Sequence, residues 1–125
     1  MTFFVQQKIH GKAAPRRSFA HGKVYNPHAA LMNKFRREAS NHFSDEKGRF
    51  RGAVNVELVC FFQGVRARMG THHTNKPDCD NVSKFVCDSL SGVAFQDDKQ
   101  VVNLNVRKFW TPSSDCMKVT VMYLK

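Results

Sequence analysis

The chain has 125 residues, of which 42% are hydrophobic, and its 20 lysines and arginines against 10 aspartates and glutamates give a formal charge of +10. This length predicts one domain over residues 1–125, with enough chain for a real core. No run approaches the roughly 20 apolar residues that cross a bilayer, and no signal-peptide pattern opens the chain, so we expect a cytoplasmic protein. The positive excess predicts a polyanionic partner, nucleic acid first and an anionic membrane second.

The first half of the chain predicts two strands that flank a basic loop and a helix. Alternation from Thr2 to Ile9 is typical of a strand, and Gly11 to Lys23 predicts a loop rich in positive charge. The helix begins at Asn26-Pro27, an N-cap followed by proline at the first helical position, and extends to about Phe43. Apolar alternation from Val54 to Phe62 then predicts a second, largely buried strand.

The second half predicts another basic loop, a helix and two strands. The loop covers residues 63–76, and the helix spans roughly Cys79 to Ser91. A strand with Val102, Leu104 and Val106 on one face follows, and a turn at Thr111 to Ser114 leads to the last strand. The order β-α-β-α-β-β predicts an α+β domain with two helices packed on one mixed four-stranded sheet. The four cysteines form no CxxC pair, which indicates free and mostly buried thiols.

The acidic residues are unevenly distributed, because five of the ten lie between Asp78 and Asp98. Carboxylates weaken the attraction of a basic protein for a polyanion, so their clustering suggests a bound divalent cation. Mg²⁺ prefers carboxylate oxygens, usually one or two together with water and substrate phosphates. A basic surface around an acidic pocket is typical of a metal-dependent nuclease, in which the surface holds the phosphate backbone and the pocket cuts it.

The second helix predicts a polar face that holds part of this cluster. At about 100° per residue, Lys84 lies about 40° and Asp88 about 80° from Asp80. The opposite side of the helix is apolar and comprises Cys79, Val82, Phe85, Val86 and Leu90. Asp78 can share the pocket if it caps the helix from the turn after Pro77.

A purely structural interpretation of these residues stands beside the catalytic one. Asp78 is then only a cap, and Asp80–Lys84 and Lys84–Asp88 are only i,i+4 pairs, each contributing about 0.2–0.5 kcal/mol. Two features favour a site. Asp78 and Asp80 put two carboxylates within one turn, and Asp97-Asp98 returns just after the helix.

The same segment resembles the RusA family of Holliday-junction resolvases. The family pattern is D-x-D-N-hydrophobic-x-K, then D-x-L, then D-D-x-Q-V. The chain matches it with Asp78-Cys79-Asp80-Asn81-Val82-Ser83-Lys84, with Asp88-Ser89-Leu90 and with Asp97-Asp98-Lys99-Gln100-Val101. Cys79 replaces a usually aliphatic residue.

The resemblance implies an activity, a site and an assembly. Catalysis maps onto Asp78, Asp80, Asp98 and Lys84, with the three aspartates as ligands of Mg²⁺ or possible substitute Mn²⁺. The family acts as a homodimer that binds four-way DNA junctions and makes paired, symmetric nicks in recombination and repair. Such resolvases often come from phages, which implies a bacterial or phage-infected host cell.

The candidate DNA contacts are basic residues of the two loops: Arg16, Arg17, Lys23, Arg66, Arg68 and Lys76. Taken singly, each is more often a solvated surface charge, and their concentration in two loops favours the role.

Two alternatives stay open from the sequence. The chain can be a non-catalytic nucleic-acid-binding module that stacks bases on some of its 11 phenylalanines, although most of these occupy core positions. The same nuclease chemistry can also act on flaps, forks or other branched DNA, because catalytic residues do not encode substrate shape.

Overall fold

The computed structural model describes residues 1–11, 29–64 and 70–124, together with the backbone of 16–17 and 24–25. Its elements in chain order are β1 Thr2–Val5, β2 Arg16–Arg17, β3 Val24–Tyr25, α1 Ala29–Ser40, β4 Val54–Gln63, α2 Cys79–Leu90, β5 Val101–Thr111 and β6 Cys116–Tyr123. Short 3-10 turns lie at Lys47–Arg49 and Asp98–Gln100. No helix of this part of the chain is long and apolar enough to cross a membrane.

Four strands form one mixed sheet in the order β1-β6-β4-β5. β6 runs antiparallel to both β1 and β4, whereas β4 and β5 are parallel. Parallel neighbours need a long crossover, and α2 lies within the one that joins β4 to β5. The predicted α+β class, with two helices and a mixed four-stranded sheet, is therefore confirmed.

The core fills the space between the two helices and one face of the sheet. Alternate residues of β4 and β6 are buried there: Val54, Val56, Leu58, Cys60, Phe62, Met117, Val119 and Val121. From the helices, Phe35 and Phe85 meet edge to face with ring centroids 6.0 Å apart. Burial of each such side chain stabilises the fold by about 1.5–3 kcal/mol.

The structure shortens two predicted elements. β1 ends at Val5 rather than Ile9, although Ile9 is buried and its backbone N–H donates to Asp115 Oδ2 at 3.1 Å. α1 ends at Ser40 rather than near Phe43, and the Phe43 ring instead packs edge to face against Phe3. In both cases apolar residues continue past the regular element because the core continues there.

Two further differences concern elements that the periodicity described poorly. β2 lies inside the predicted first loop and β3 directly follows that loop, and the two strands pair through their backbones. Each has two residues, which is too short to show an alternating pattern in the sequence. On β5, Val102 is 62% and Leu104 43% exposed, because β5 is an edge strand and its register with β4 shifts next to Val54.

Candidate active site

The start of α2 is organised by the first two clustered aspartates. Asp78 is the N-cap, and its Oδ1 accepts a hydrogen bond from the Asn81 backbone N–H at 2.8 Å. One turn on, Lys84 Nζ lies 3.0 Å from Asp80 Oδ2, with the lysine side chain 56% and the aspartate side chain 72% exposed. The predicted N-cap and the predicted Asp80–Lys84 pair are confirmed, and the Lys84–Asp88 pair stays a prediction.

The opposite side of α2 is buried as predicted at Val82, Phe85, Val86 and Leu90. The placement of Cys79 on that buried side is wrong, because its side chain is exposed. Cys79 is the first residue of the helix and borders the edge strand β5, where its Sγ lies 3.9 Å from Val106 O. The expectation of mostly buried thiols thus holds for Cys60 and Cys87 but not for Cys79.

The segment that leads to Asp78 is bound to the outer edge of β5. Gly70 N–H donates to Trp110 O at 3.3 Å, Trp110 N–H donates to Thr71 O at 2.9 Å, and His73 N–H donates to Lys108 O at 3.0 Å. An edge strand offers these unpaired backbone groups, and the segment satisfies them. The chain that leads to α2 is therefore held in a fixed position along β5.

Lys108 extends this attachment to the residue before the N-cap. Its ammonium group donates to Asn75 O at 2.8 Å and to Pro77 O at 2.7 Å. Lys108 was missed by the sequence analysis, although a signal existed. It pairs with the buried Cys60 across β4 and β5, so it is a charge at a core-facing position of an alternating strand.

The second acidic group lies at the other end of α2. Asp97 caps the 3-10 turn, accepting from Lys99 N–H at 3.0 Å, and this hydrogen bond lowers the pKa of its carboxyl. The Asp98 carboxyl is exposed beside Asp97 and Asp88, and hydrogen bonding to Asp97, then burial and the two neighbouring charges, raise its pKa.

Gln100 anchors this acidic turn to the rest of the fold. Its buried side chain accepts from Asp97 N–H at 2.8 Å and donates to Phe50 O at 2.7 Å and Gly52 O at 2.8 Å. Three hydrogen bonds satisfy the buried amide and hold the Asp97–Asp98 turn next to the chain that leads into β4.

The three predicted metal ligands do not form a closed cage. Across residues 1–11, 29–64 and 70–124, no three histidine, cysteine or acidic side chains gather closely enough to hold an ion by themselves. Asp98 lies beside Asp88. Asp88 is eight residues after Asp80 on α2, which corresponds to about 12 Å along the helix axis. The donors are nevertheless exposed carboxylates, and Mg²⁺ commonly takes only one or two of these with water and substrate phosphate. Their chemistry fits a divalent ion whose site the substrate completes.

Of the predicted DNA contacts, the structure describes one residue completely and two others by their backbone alone. Lys76 is exposed two residues before Asp78. The backbone of Arg16 and Arg17 forms β2, and their side chains lie outside the described structure, as do all of Lys23, Arg66 and Arg68.

The beginning of the first basic loop does reach the site. A Cβ placed on Gly11 would lie 2.6 Å from Asn81 Cβ and 3.3 Å from Pro77 Cβ. Only glycine allows so close an approach. The segment that carries Lys8 and His10 therefore lies against the start of α2, a proximity that the spacing in sequence does not reveal.

Fold and site together define a small basic α+β domain with an exposed acidic helix face beside a lysine. Comparison with known proteins gives the family: residues 8–122 match the model described as endodeoxyribonuclease RusA, and the chain belongs to this family. A segment of 38 residues, 30% of the chain, is 50% identical to the uncharacterized protein YqaN of Bacillus subtilis (strain 168). That match spans 27% of the Bacillus protein's length.

Proposed function

We propose that this protein is a structure-selective endodeoxyribonuclease that resolves four-way DNA junctions by paired, symmetric nicks during recombination and repair. Membership of the RusA family supports the activity. The observation that carries the proposal is the exposed face of α2, where Asp80 Oδ2 and Lys84 Nζ lie 3.0 Å apart and Asp80 follows the N-cap Asp78 by two residues, in a chain of charge +10.

The proposed catalytic residues have separate roles. Asp78, Asp80 and Asp98 would hold one or two Mg²⁺ ions, for which Mn²⁺ can substitute. A bound ion of this kind supplies an activated water and stabilises the leaving 3′-oxygen. Lys84, with half of its side chain in solvent, neutralises charge that develops on the scissile phosphate. The expected products carry 5′-phosphate and 3′-hydroxyl ends that a ligase can seal.

Lys108 supports this chemistry from a distance. By donating to Asn75 O and Pro77 O, it positions the chain on which Asp78 depends. Lys76 extends from the same segment and is proposed, with Arg16, Arg17, Lys23, Arg66 and Arg68, to contact DNA phosphates. Affinity should then fall steeply as salt rises.

The proposed assembly is a homodimer acting in the cytoplasm of a bacterium or a phage-infected host cell. A four-way junction has two-fold symmetry, and one site per chain on a C₂ dimer supplies the two coordinated cuts. Sedimentation of a stable monomer at the concentration that gives paired nicks would contradict the dimer.

The proposed function is tested by a nicking assay on a labelled four-way junction and a matched linear duplex, with Mg²⁺ and with EDTA. We expect metal-dependent, paired nicks in the junction, lost in Asp80→Asn while junction binding persists. Asp45→Asn is the matched control, because it removes the same charge from an exposed aspartate between α1 and β4. Binding without cutting under either metal indicates a non-catalytic module, and equal cutting of both DNAs contradicts junction selectivity.

A further inference from the structure

A cavity of about 1060 Å³ opens beside the start of α2. One wall is formed by the catalytic helix, through Asp78 and Asn81. The other walls are the segment 6–11 that follows β1, the chain 73–77 that leads to α2, and the ends of β4, β5 and the turn before β6. The cavity is therefore continuous with the proposed catalytic face, and its volume is at the upper end of the roughly 300–1,000 Å³ typical of small-molecule clefts.

Aromatic rings form the inner wall of this cavity. Phe62 and His73 are stacked, with centroids 3.8 Å apart and planes at 14°, and His73 contacts Trp110 with centroids 4.4 Å apart and planes tilted at 57°. Phe62 and His73 are buried, whereas Trp110 is partly exposed. The indole lies over Gly64, where an added Cβ would come within 2.3 Å of Cε3. The wall is thus a preformed aromatic cluster whose most exposed ring is Trp110.

The polar groups of the cavity suit a flat, hydrogen-bonding ligand better than a cation. Asp115, which lines the cavity together with Asp78, is committed to the backbone, since its carboxylate accepts from Ile9 N–H at 3.1 Å and Gln63 N–H at 2.7 Å. Uncharged donors and acceptors remain on the walls at Gln6, Gln63 and Ser114. Exposed Lys8 and Lys76 add positive charge where a phosphate backbone would pass.

We propose that this cavity receives the base of a nucleotide next to the scissile phosphate, unstacked from the junction and placed against Trp110. The inference rests on the proposed function, because it requires the phosphate to lie at Asp78 and Asp80. A base must leave its stack to enter, and this costs least where stacking is already interrupted, as at the point of strand exchange in an open junction. The cavity would then determine which nucleotide is accepted at the cut site.

Trp110 reports directly on this proposal because the chain contains one tryptophan. The emission of the Asp80→Asn variant is measured on binding an intact junction and junctions with a single abasic nucleotide at each position around the cut. We expect the intact junction to quench the emission, and one abasic position beside the cut to abolish that quenching. With the wild-type enzyme, the same abasic position should slow cutting about tenfold or more.

Two substitutions, one that places a bulky side chain in the cavity and one that does not, test the proposal without changing the aromatic cluster. Ser114 and Ser113 are neighbouring exposed residues of the β5–β6 turn, but of the two Ser114 lines the cavity. Ser114→Phe should slow cutting about tenfold and remove its dependence on the abasic position, whereas Ser113→Phe should change neither.

The outcomes separate this inference from the proposed function. Cutting that is insensitive to every abasic position, with Trp110 emission unchanged on binding, overturns the base pocket and leaves the nuclease intact. Absence of both junction binding and cutting overturns the proposed function, and the base pocket with it.

Discussion

The acidic residues at the two ends of α2 have opposite electrostatic surroundings. At the start, the Asp78 carboxylate accepts a backbone N–H and Asp80 pairs with Lys84, so each has a partner of complementary charge or polarity. At the far end, Asp98 lies beside Asp88 and Asp97, and these acidic neighbours contribute to its raised pKa. The first group stabilises the fold, whereas in the second group Asp97 stabilises its turn and Asp98 is held against like charges. Retention of a locally unfavourable cluster is typical of a functional site.

The largest expected effect is that of Asp98→Asn, which separates function from stability. Loss of a proposed metal ligand should lower junction cutting by about 100-fold or more. Relief of like-charge repulsion should at the same time raise the melting temperature, measured without divalent ions, by about 1–3 °C. Asp45→Asn should change neither quantity. A lower melting temperature for Asp98→Asn would show that the second acidic group is stabilising after all.

Lys108→Met should have the next largest effect, because it frees the chain that leads to Asp78. Loss of two charge-assisted hydrogen bonds should cost about 1–2 kcal/mol of unfolding free energy, and the displaced cap should slow cutting about tenfold. Hydrogen exchange should increase within residues 70–77. Lys118→Met is the control, since Lys118 is exposed on the opposite face of the sheet. Equal effects of the two variants would exclude a specific positioning role for Lys108.

Substitutions of Asp78 distinguish its capping role from its proposed catalytic one. Asp78→Ala removes the cap and should lower the unfolding free energy by about 1 kcal/mol, whereas Asp78→Asn keeps a good capping side chain and should be nearly neutral. Both variants should lose cutting, because neither supplies a carboxylate. Chemical denaturation measures the first quantity and the nicking assay the second. Full activity of Asp78→Asn would leave Asp78 with a structural role alone.

The smallest effect concerns the thiols at the two ends of α2. Burial, with smaller contributions from Asp98 and Asp88, raises the pKa of Cys87 to about 11, which leaves about one molecule in a thousand as thiolate at about pH 8. Exposed Cys79 should therefore react with a thiol reagent first, as mass spectrometry of the labelled peptides would detect. In Asp98→Asn, Cys87 should react slightly faster, because one negative neighbour is lost. Simultaneous labelling of both thiols in the folded wild type would contradict the burial of Cys87.

Much of α2 could be predicted from its own residues. The polar and apolar faces follow from helical periodicity, the Asp78 cap from an aspartate in the turn after Pro77, and the Asp80–Lys84 pair from a spacing of four. Each of these interactions closes within one turn of helix, so neighbouring residues specify it. The exposure of Cys79 was the exception. How far the sheet covers the first turn of α2 depends on the packing of helix and sheet, which helical periodicity does not specify.

The surroundings of the helix required the tertiary structure. Lys108 reaches Asn75 and Pro77 across more than thirty residues of sequence, and its partners are backbone carbonyls that any residue carries. The cavity next to Asp78 likewise depends on the ends of three strands and on the close approach of Gly11 to Asn81. Local patterns specify which residues can share a helix face, whereas long-range pairing of strands and loops decides which groups from distant parts of the chain meet that face.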